Sequence, residues 1–105
     1  MKRGEVWWVA LDPTVGSEVQ KTRPCLIVSP DVMVAGLPTV IVAPLTSKGH
    51  ARSFRPPVSF KGTTGLILRD QLRAVDKTRL RTRVGKVSEE TLINVLSMLR
   101  WIFSE

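Results

Sequence analysis

Apolar positions in this chain fall into short runs separated by turn-forming residues, and a single longer helical pattern closes it. The first run, Val6-Trp7-Trp8-Val9-Ala10-Leu11, stops at Asp12-Pro13. Runs rich in β-branched and aromatic residues and bounded by Gly, Pro, Asp and Ser read as strands. The pattern predicts strands over Glu5–Leu11, Pro24–Ser29, Thr39–Leu45, Val58–Phe60, Gly65–Arg69 and Gln71–Val75. Leu26-Ile27-Val28 and Val40-Ile41-Val42-Ala43 are apolar without interruption, which predicts strands covered on both faces. Pro30 and Asp31 predict a short helical turn through Val34, ended near Gly36.

The clearest helix lies at the C-terminal end. Ser88 is a favourable N-cap, and Glu89 and Glu90 complement the positive end of the helix. Leu92, Val95, Leu96, Leu99, Ile102 and Phe103 recur at helical spacing. Ile93, Met98 and Trp101 add apolar surface on other faces. One core face does not need all of it. The helix either fills a tight groove of its own domain or meets another subunit, and the excess favours the subunit interface. Many short strands and one helix predict a mainly β fold with α additions, a small, strongly bent β-barrel-like sheet. At 105 residues the chain reads as one domain, residues 1–105, large enough for one core.

Charge sharpens this picture. The net charge is +7, and it is unevenly spread. From Lys48 to Lys86 there are eleven basic residues and two acids, Asp70 and Asp76. A cationic middle on a small domain points to a nucleic acid or an acidic protein partner. Cys25 is the only cysteine and sits in an apolar strand, so no intramolecular disulfide forms and a cytoplasmic setting is expected. No charged-then-apolar leader and no apolar run near ~20 residues is present, so neither secretion nor a membrane span is indicated.

Candidate chemistry gathers in two loops. The first, after Asp12-Pro13, carries Glu18, Lys21 and Arg23 between two apolar strands. Pro24 biases Arg23 toward an extended backbone, which sets a permanent cation at the rim of a sheet. Its planar fork matches phosphate oxygens. The second, Ser47–Pro57, is long, basic and poor in strand formers. Its Lys48, Arg52 and Arg55 suit phosphate contacts, which add affinity without sequence choice. His50 is the only histidine, and as a lone loop residue it is expected in solvent rather than in catalysis. Trp7 and Trp8 point to opposite faces of one strand, one into the core and the other toward an interface or a stacked base. Arg69 and Asp70, read as strand neighbours, also point to opposite faces, so only one of them lines a site. Gln71 either reads a base or is a structural strand amide. No paired carboxylates at metal spacing and no Cys/His cluster occur, so no metal or other cofactor is expected.

Three motifs together carry a resemblance. Asp12-Pro13-Thr14-x-Gly16-Ser17-Glu18, followed by Thr22-Arg23-Pro24 and a strand ending Ser29-Pro30, resembles the MazF/PemK/Kid family of toxin endoribonucleases. Val42-Ala43-Pro44-Leu45-Thr46-Ser47 is similar to that family's strand ending in a threonine. Asp70-Gln71-Leu72-Arg73-Ala74-Val75-Asp76 is similar to its later strand. The match is collinear over nearly the whole chain. It implies an SH3-like barrel of the CcdB/MazF type, a homodimer, metal-independent cleavage of single-stranded RNA, and inhibition by a cognate antitoxin of the MazE/PemI kind. Many relatives carry glycine-rich sequence where this chain has Val19-Gln20-Lys21-Thr22, so its loop is stiffer and more cationic. Some carry a histidine where Ser17 stands.

The resemblance assigns catalysis to Arg23 and Thr46, with Ser47 as helper. Arg23 is expected to stabilise phosphoryl charge. An acid–base role for it is the weaker expectation, since a guanidinium gives up its proton only above pH ~12. From the strand pattern alone Thr46 is an ordinary strand-capping residue. RNA contacts are expected from Glu18, Lys21, Ser47, Lys48, Arg52, Arg55 and Gln71, although Glu18 can equally order its own loop against Lys21. Two other functions compete: a non-enzymatic CcdB-like toxin that binds a protein target such as gyrase, and a basic RNA-binding module without catalysis. A protein poison needs no phosphate pocket, so the Arg23/Thr46 pair argues for the nuclease.

Overall fold

The computed structural model describes residues 1–12, 16, 21–46, 57–60 and 63–104. Among the described residues seven strands form, β1 (Glu5–Ala10), β2 (Thr22–Ile27), β3 (Thr39–Thr46), β4 (Pro57–Phe60), β5 (Thr63–Ile67), β6 (Arg73–Asp76) and β7 (Leu80–Lys86). Helix α1 (Asp31–Gly36) links β2 to β3, and α2 (Glu89–Ile102) closes the chain. Single 3-10 turns, Arg69–Gln71 and Lys77–Arg79, flank β6.

All pairings are antiparallel, in the order β4-β5-β3-β2-β1-β7, with β6 added to β3. β3 organises the bend. Thr39–Val42 pair with β6, whereas Leu45 and Thr46 pair with β5. Two strands thus share one edge of β3 and leave it in different directions. Among the described residues β4 and β7 end the order, so the sheet is mainly antiparallel, bent and barrel-like without closing.

Period-two alternation sends neighbouring residues to two separate cores. Val6, Leu26 and Ala43 join one apolar cluster, which α2 covers through Val95 and Leu99. Cys25, Ile27 and Val42 join the other, with Val34 of α1, Val75 and Leu80. This is why the central strands read as unbroken apolar runs. Ser88 caps α2 as expected, its Oγ accepting from the Thr91 amide at 3.2 Å. Leu92, Leu96 and Ile102 pack against the first cluster. Phe103 does not continue the stripe. The helix ends at Ile102, and Phe103 leaves it 73% exposed.

Gly4 occupies a position that needs glycine. Its φ is +91°, and a Cβ there would stand 3.2 Å from Leu92 Cδ2 on α2. Its amide donates to Ile27 O, and its carbonyl accepts from Val87 N. The chain start is thereby tied to β2 and to the approach of α2.

Two differences from the expected elements bear on the site. β2 begins at Thr22, so Arg23 and Pro24 lie inside a strand. Arg69–Gln71 form a 3-10 turn, so the alternation argument for Arg69 and Asp70 does not apply. β7 is not among the expected strands. Among the described residues it pairs only with β1, and Arg81, Arg83 and Lys86 dilute its apolar signal.

Candidate active site

The β2–β3 ladder runs from Ile27/Val42 to Cys25/Pro44. Pro24 accounts for its end. The Val28 amide donates to Ile41 O, which turns the even residues of β2 and the odd residues of β3 toward each other, and Pro24, next in that series, has no amide hydrogen to offer Leu45. Pro44 faces the other edge of β3, where its carbonyl accepts from Leu68 N. Continued two residues past the last pair, the register counts Arg23 opposite Thr46. Both then fall on the face of Cys25 and Pro44, because residues two apart in a strand share a face. Arg23 remains held on its other side, where it pairs with Val9 of β1. Thr46, the last residue of β3, pairs with Leu66 of β5. Both residues are half-buried. A cation and a hydroxyl, each presented by a paired strand past the end of the β2–β3 ladder, suit a phosphate group.

A third side chain joins this face. Arg73 of β6 pairs with Val42, and its Nη1 donates to Leu11 O at 3.2 Å. Burial pushes the Cys25 thiol up to about 12, although the nearby Arg73 guanidinium opposes the shift. Cys25 therefore carries no thiolate at neutral pH, and it serves as packing beneath the site.

Gln71 lies at the end of the 3-10 turn, half-buried, with its backbone N–H donating to Leu68 O at 3.0 Å. It is not an exposed strand amide. Leu68 in turn donates to Pro44 O at 2.8 Å, so the turn hangs from the strand segment that ends in Thr46. Asp70 is exposed in the same turn.

Lys21 stands at the entry to β2 with φ +68°, a left-handed conformation that favours glycine. It is held from two sides: its amide donates to Asp12 Oδ1 at 2.9 Å, and its carbonyl accepts from Leu11 N at 2.9 Å. Glu18, Ser47, Lys48, His50, Arg52 and Arg55 lie outside the described residues, as does Ser17.

The tryptophans divide as expected. Trp7 packs against the second cluster, and its Nε1 donates to Glu5 Oε1 at 3.0 Å. Trp8 is 42% exposed. Glu5 also accepts from Arg83 Nε at 2.9 Å. Burial raises the Glu5 pKa, but hydrogen bonds from Trp7, Arg83 and the Lys2 amide outweigh it, and the carboxyl sits below its ordinary value.

Sequence reasoning missed Arg79 and named Arg73 only as part of a motif. Arg79 Nη1 donates to Ala10 O at 3.1 Å and Asp12 O at 2.6 Å. No local motif marks these contacts, because they join positions 62 to 69 residues apart. Among the described residues no group of three or more His, Cys, Asp or Glu could hold a metal ion, and no helix is long and apolar enough to cross a membrane.

A bent antiparallel sheet with a C-terminal helix and arginines gathered at the end of the β2–β3 ladder defines a class, and comparison with known proteins identifies it. Residues 2–103 match the family model described as PemK-like, MazF-like toxin of type II toxin-antitoxin system. The chain belongs to that family. It is 44% identical to the Escherichia coli endoribonuclease PemK, over 99% of this chain and 83% of that protein. With Bacillus subtilis endoribonuclease EndoA it shares 31% identity over 90% of this chain and 87% of the relative. The fold matches crystalline MazF from Deinococcus radiodurans with a TM-score of 0.86 at 23% identity, covering 97% of this chain and 94% of that one. A mycobacterial endoribonuclease solved with its cognate antitoxin matches with a TM-score of 0.81 at 20% identity, covering 96% and 92%.

Proposed function

We propose that this chain is the toxin of a type II toxin–antitoxin pair and an endoribonuclease that cleaves single-stranded RNA without a metal. The observation that carries this is membership of the family, with a named endoribonuclease 44% identical over 99% of the chain. The site chemistry supports it. In cleavage the RNA 2′-oxygen bonds to phosphorus, the bond from phosphorus to the 5′-oxygen breaks, the 2′ proton passes to a base, and the leaving oxygen takes up a proton. The products are a 2′,3′-cyclic phosphate and a 5′-hydroxyl. Arg23 neutralises charge on the phosphoryl oxygens, and the Thr46 hydroxyl donates to one of them. Lys21 lies two residues from Arg23 and adds a cation for the flanking phosphate. Glu18, Ser47, Lys48, Arg52, Arg55 and Gln71 complete the RNA contacts in this reading.

The whole chain acts as one toxin domain, works in the cytoplasm and forms a homodimer. Ile93 and Trp101, 57% and 61% exposed on α2, supply apolar surface for that contact. The second partner is an acidic antitoxin of the MazE/PemI kind, to which the +7 net charge is complementary. Incubation with a long single-stranded RNA in EDTA tests the function. Fragments ending in 2′,3′-cyclic phosphate are expected. Tight binding with intact RNA would instead make the chain a binding module, and inhibition of gyrase without RNA cleavage would make it a protein poison.

A further inference from the structure

Two arginines from distant elements close on three consecutive carbonyls where β1 ends. Arg73 Nη1 reaches Leu11 O at 3.2 Å, and Arg79 Nη1 reaches Ala10 O at 3.1 Å and Asp12 O at 2.6 Å. Asp12 then passes the constraint across the loop, since its Oδ1 accepts from the Lys21 amide at 2.9 Å. The Leu11 amide donates to Lys21 O at 2.9 Å. Lys21 is kept in a left-handed conformation that a lysine adopts only under such constraint. Arg23 follows two residues later.

Arg79 is launched from a fixed base. Asp76 Oδ1 accepts from the Thr78 amide at 2.9 Å and from its hydroxyl at 2.7 Å, which caps the turn Lys77–Arg79. The Lys77 amide donates to Pro38 O at 2.9 Å, and its ammonium donates to Val34 O. The β1 end of the loop is therefore tied to β6 and to the turn after it, and the β2 end is tied to that first end through Leu11 and Asp12.

We infer that Arg79, with Arg73, is a positioning residue for RNA cleavage: the pair clamps the exit of β1 and thereby fixes the backbone that presents Lys21 and Arg23. This rests on the proposed nuclease function. The alternative role for a cation here is direct phosphate contact, and the two differ in what they alter. A phosphate contact contributes to the salt dependence of RNA affinity, by about 0.7 in log–log slope per phosphate on a single strand. A clamp whose guanidinium is committed to carbonyls contributes to turnover instead, because small displacements of a catalytic group are costly.

The test compares Arg79→Ala, Arg79→Lys and Asp12→Ala with Asp12→Asn, which retains the acceptor oxygen. Expected for Arg79→Ala is a fall in kcat of tenfold or more, an unchanged salt slope and a KM within about threefold. Arg79→Lys, which keeps the charge and loses the fork, should recover less than half of the missing activity. Asp12→Asn should retain most activity, and Asp12→Ala should lose it. A salt slope lowered by about 0.7 with kcat retained in Arg79→Ala would overturn the clamp in favour of a phosphate contact. Unchanged kcat and slope would also overturn it. Hydrogen exchange at the Lys21 and Leu11 amides gives a readout independent of activity. Faster exchange in Arg79→Ala supports the clamp, and unchanged exchange rejects it. If the unmodified chain cuts no RNA, the nuclease reading fails, and the exchange measurement still decides whether the clamp exists.

Discussion

Arg23 and Thr46 are tested most directly by substitution. Arg23 is half-buried at the open end of a ladder rather than in either apolar cluster. Arg23→Ala should therefore cut RNA cleavage by more than tenfold while the thermal midpoint stays within a few degrees. Thr46→Ala should behave alike, whereas Thr46→Ser, which keeps the hydroxyl, should retain much more activity. Equal loss in both Thr46 variants would show that the hydroxyl is not what matters. Cys25 makes a different prediction. Its folded pKa of about 12 lies above the ordinary thiol value of 9.0, because burial penalises the thiolate. The unfolded chain releases this proton first as pH rises. Stability is therefore fully present below about pH 9 and declines toward pH 12. Chemical denaturation across that window should fall less steeply for Cys25→Ala than for the unmodified chain.

Helix α2 and the segment beneath it depend on local chemistry that each element supplies. Removing the Ser88 hydroxyl leaves the Thr91 amide without its cap, and Ser88→Ala should cost about 1 kcal/mol in urea denaturation. Gly4→Ala should cost more, roughly 1–3 kcal/mol, because it combines a φ of +91° with an approach of 3.2 Å to Leu92. A change below the Ser88→Ala value would mean that Leu92 moves aside and the backbone relaxes. Neither variant touches the arginine-bearing end of the sheet, so residual cleavage per folded molecule should be unaltered.

Charge acts over the whole molecule. Lys48, Arg52 and Arg55 fall in the segment that holds eleven basic residues against two acids. Neutralising all three should lower the salt slope of RNA affinity by roughly 0.7 for each phosphate no longer neutralised, and leave the cleavage motif as it was. A shifted motif with an unchanged slope would mean that they read bases. The same field favours an acidic antitoxin segment that folds on binding and occupies the RNA surface. Inhibition should then be competitive with RNA and weaken with salt. Titrating a substrate-analogue RNA without the attacking 2′-OH against the toxin–antitoxin complex checks this. A stable ternary complex with unaltered RNA affinity would exclude occlusion.

Local pattern was enough for much of this molecule. The apolar runs predicted six of the seven strands seen among the described residues, Ser88 predicted its own cap, and collinear motifs marked the family. These features are legible because period, capping and turn chemistry act between near neighbours. What tertiary structure alone decided acts over long separations. The end of the β2–β3 ladder at Pro24 is a property of two strands in register, and only that register, continued two residues, counts Arg23 opposite Thr46. β7 owes its place to pairing with β1, despite three exposed basic residues. Phe103 carries the helical period, yet lies past the last helical residue. Arg73 and Arg79 read as two more cations in a basic segment until folding brings them to the carbonyls of residues 10 to 12. A hydrogen bond across more than sixty residues leaves no periodic trace in a chain, because its partners are chosen by the sheet that joins them.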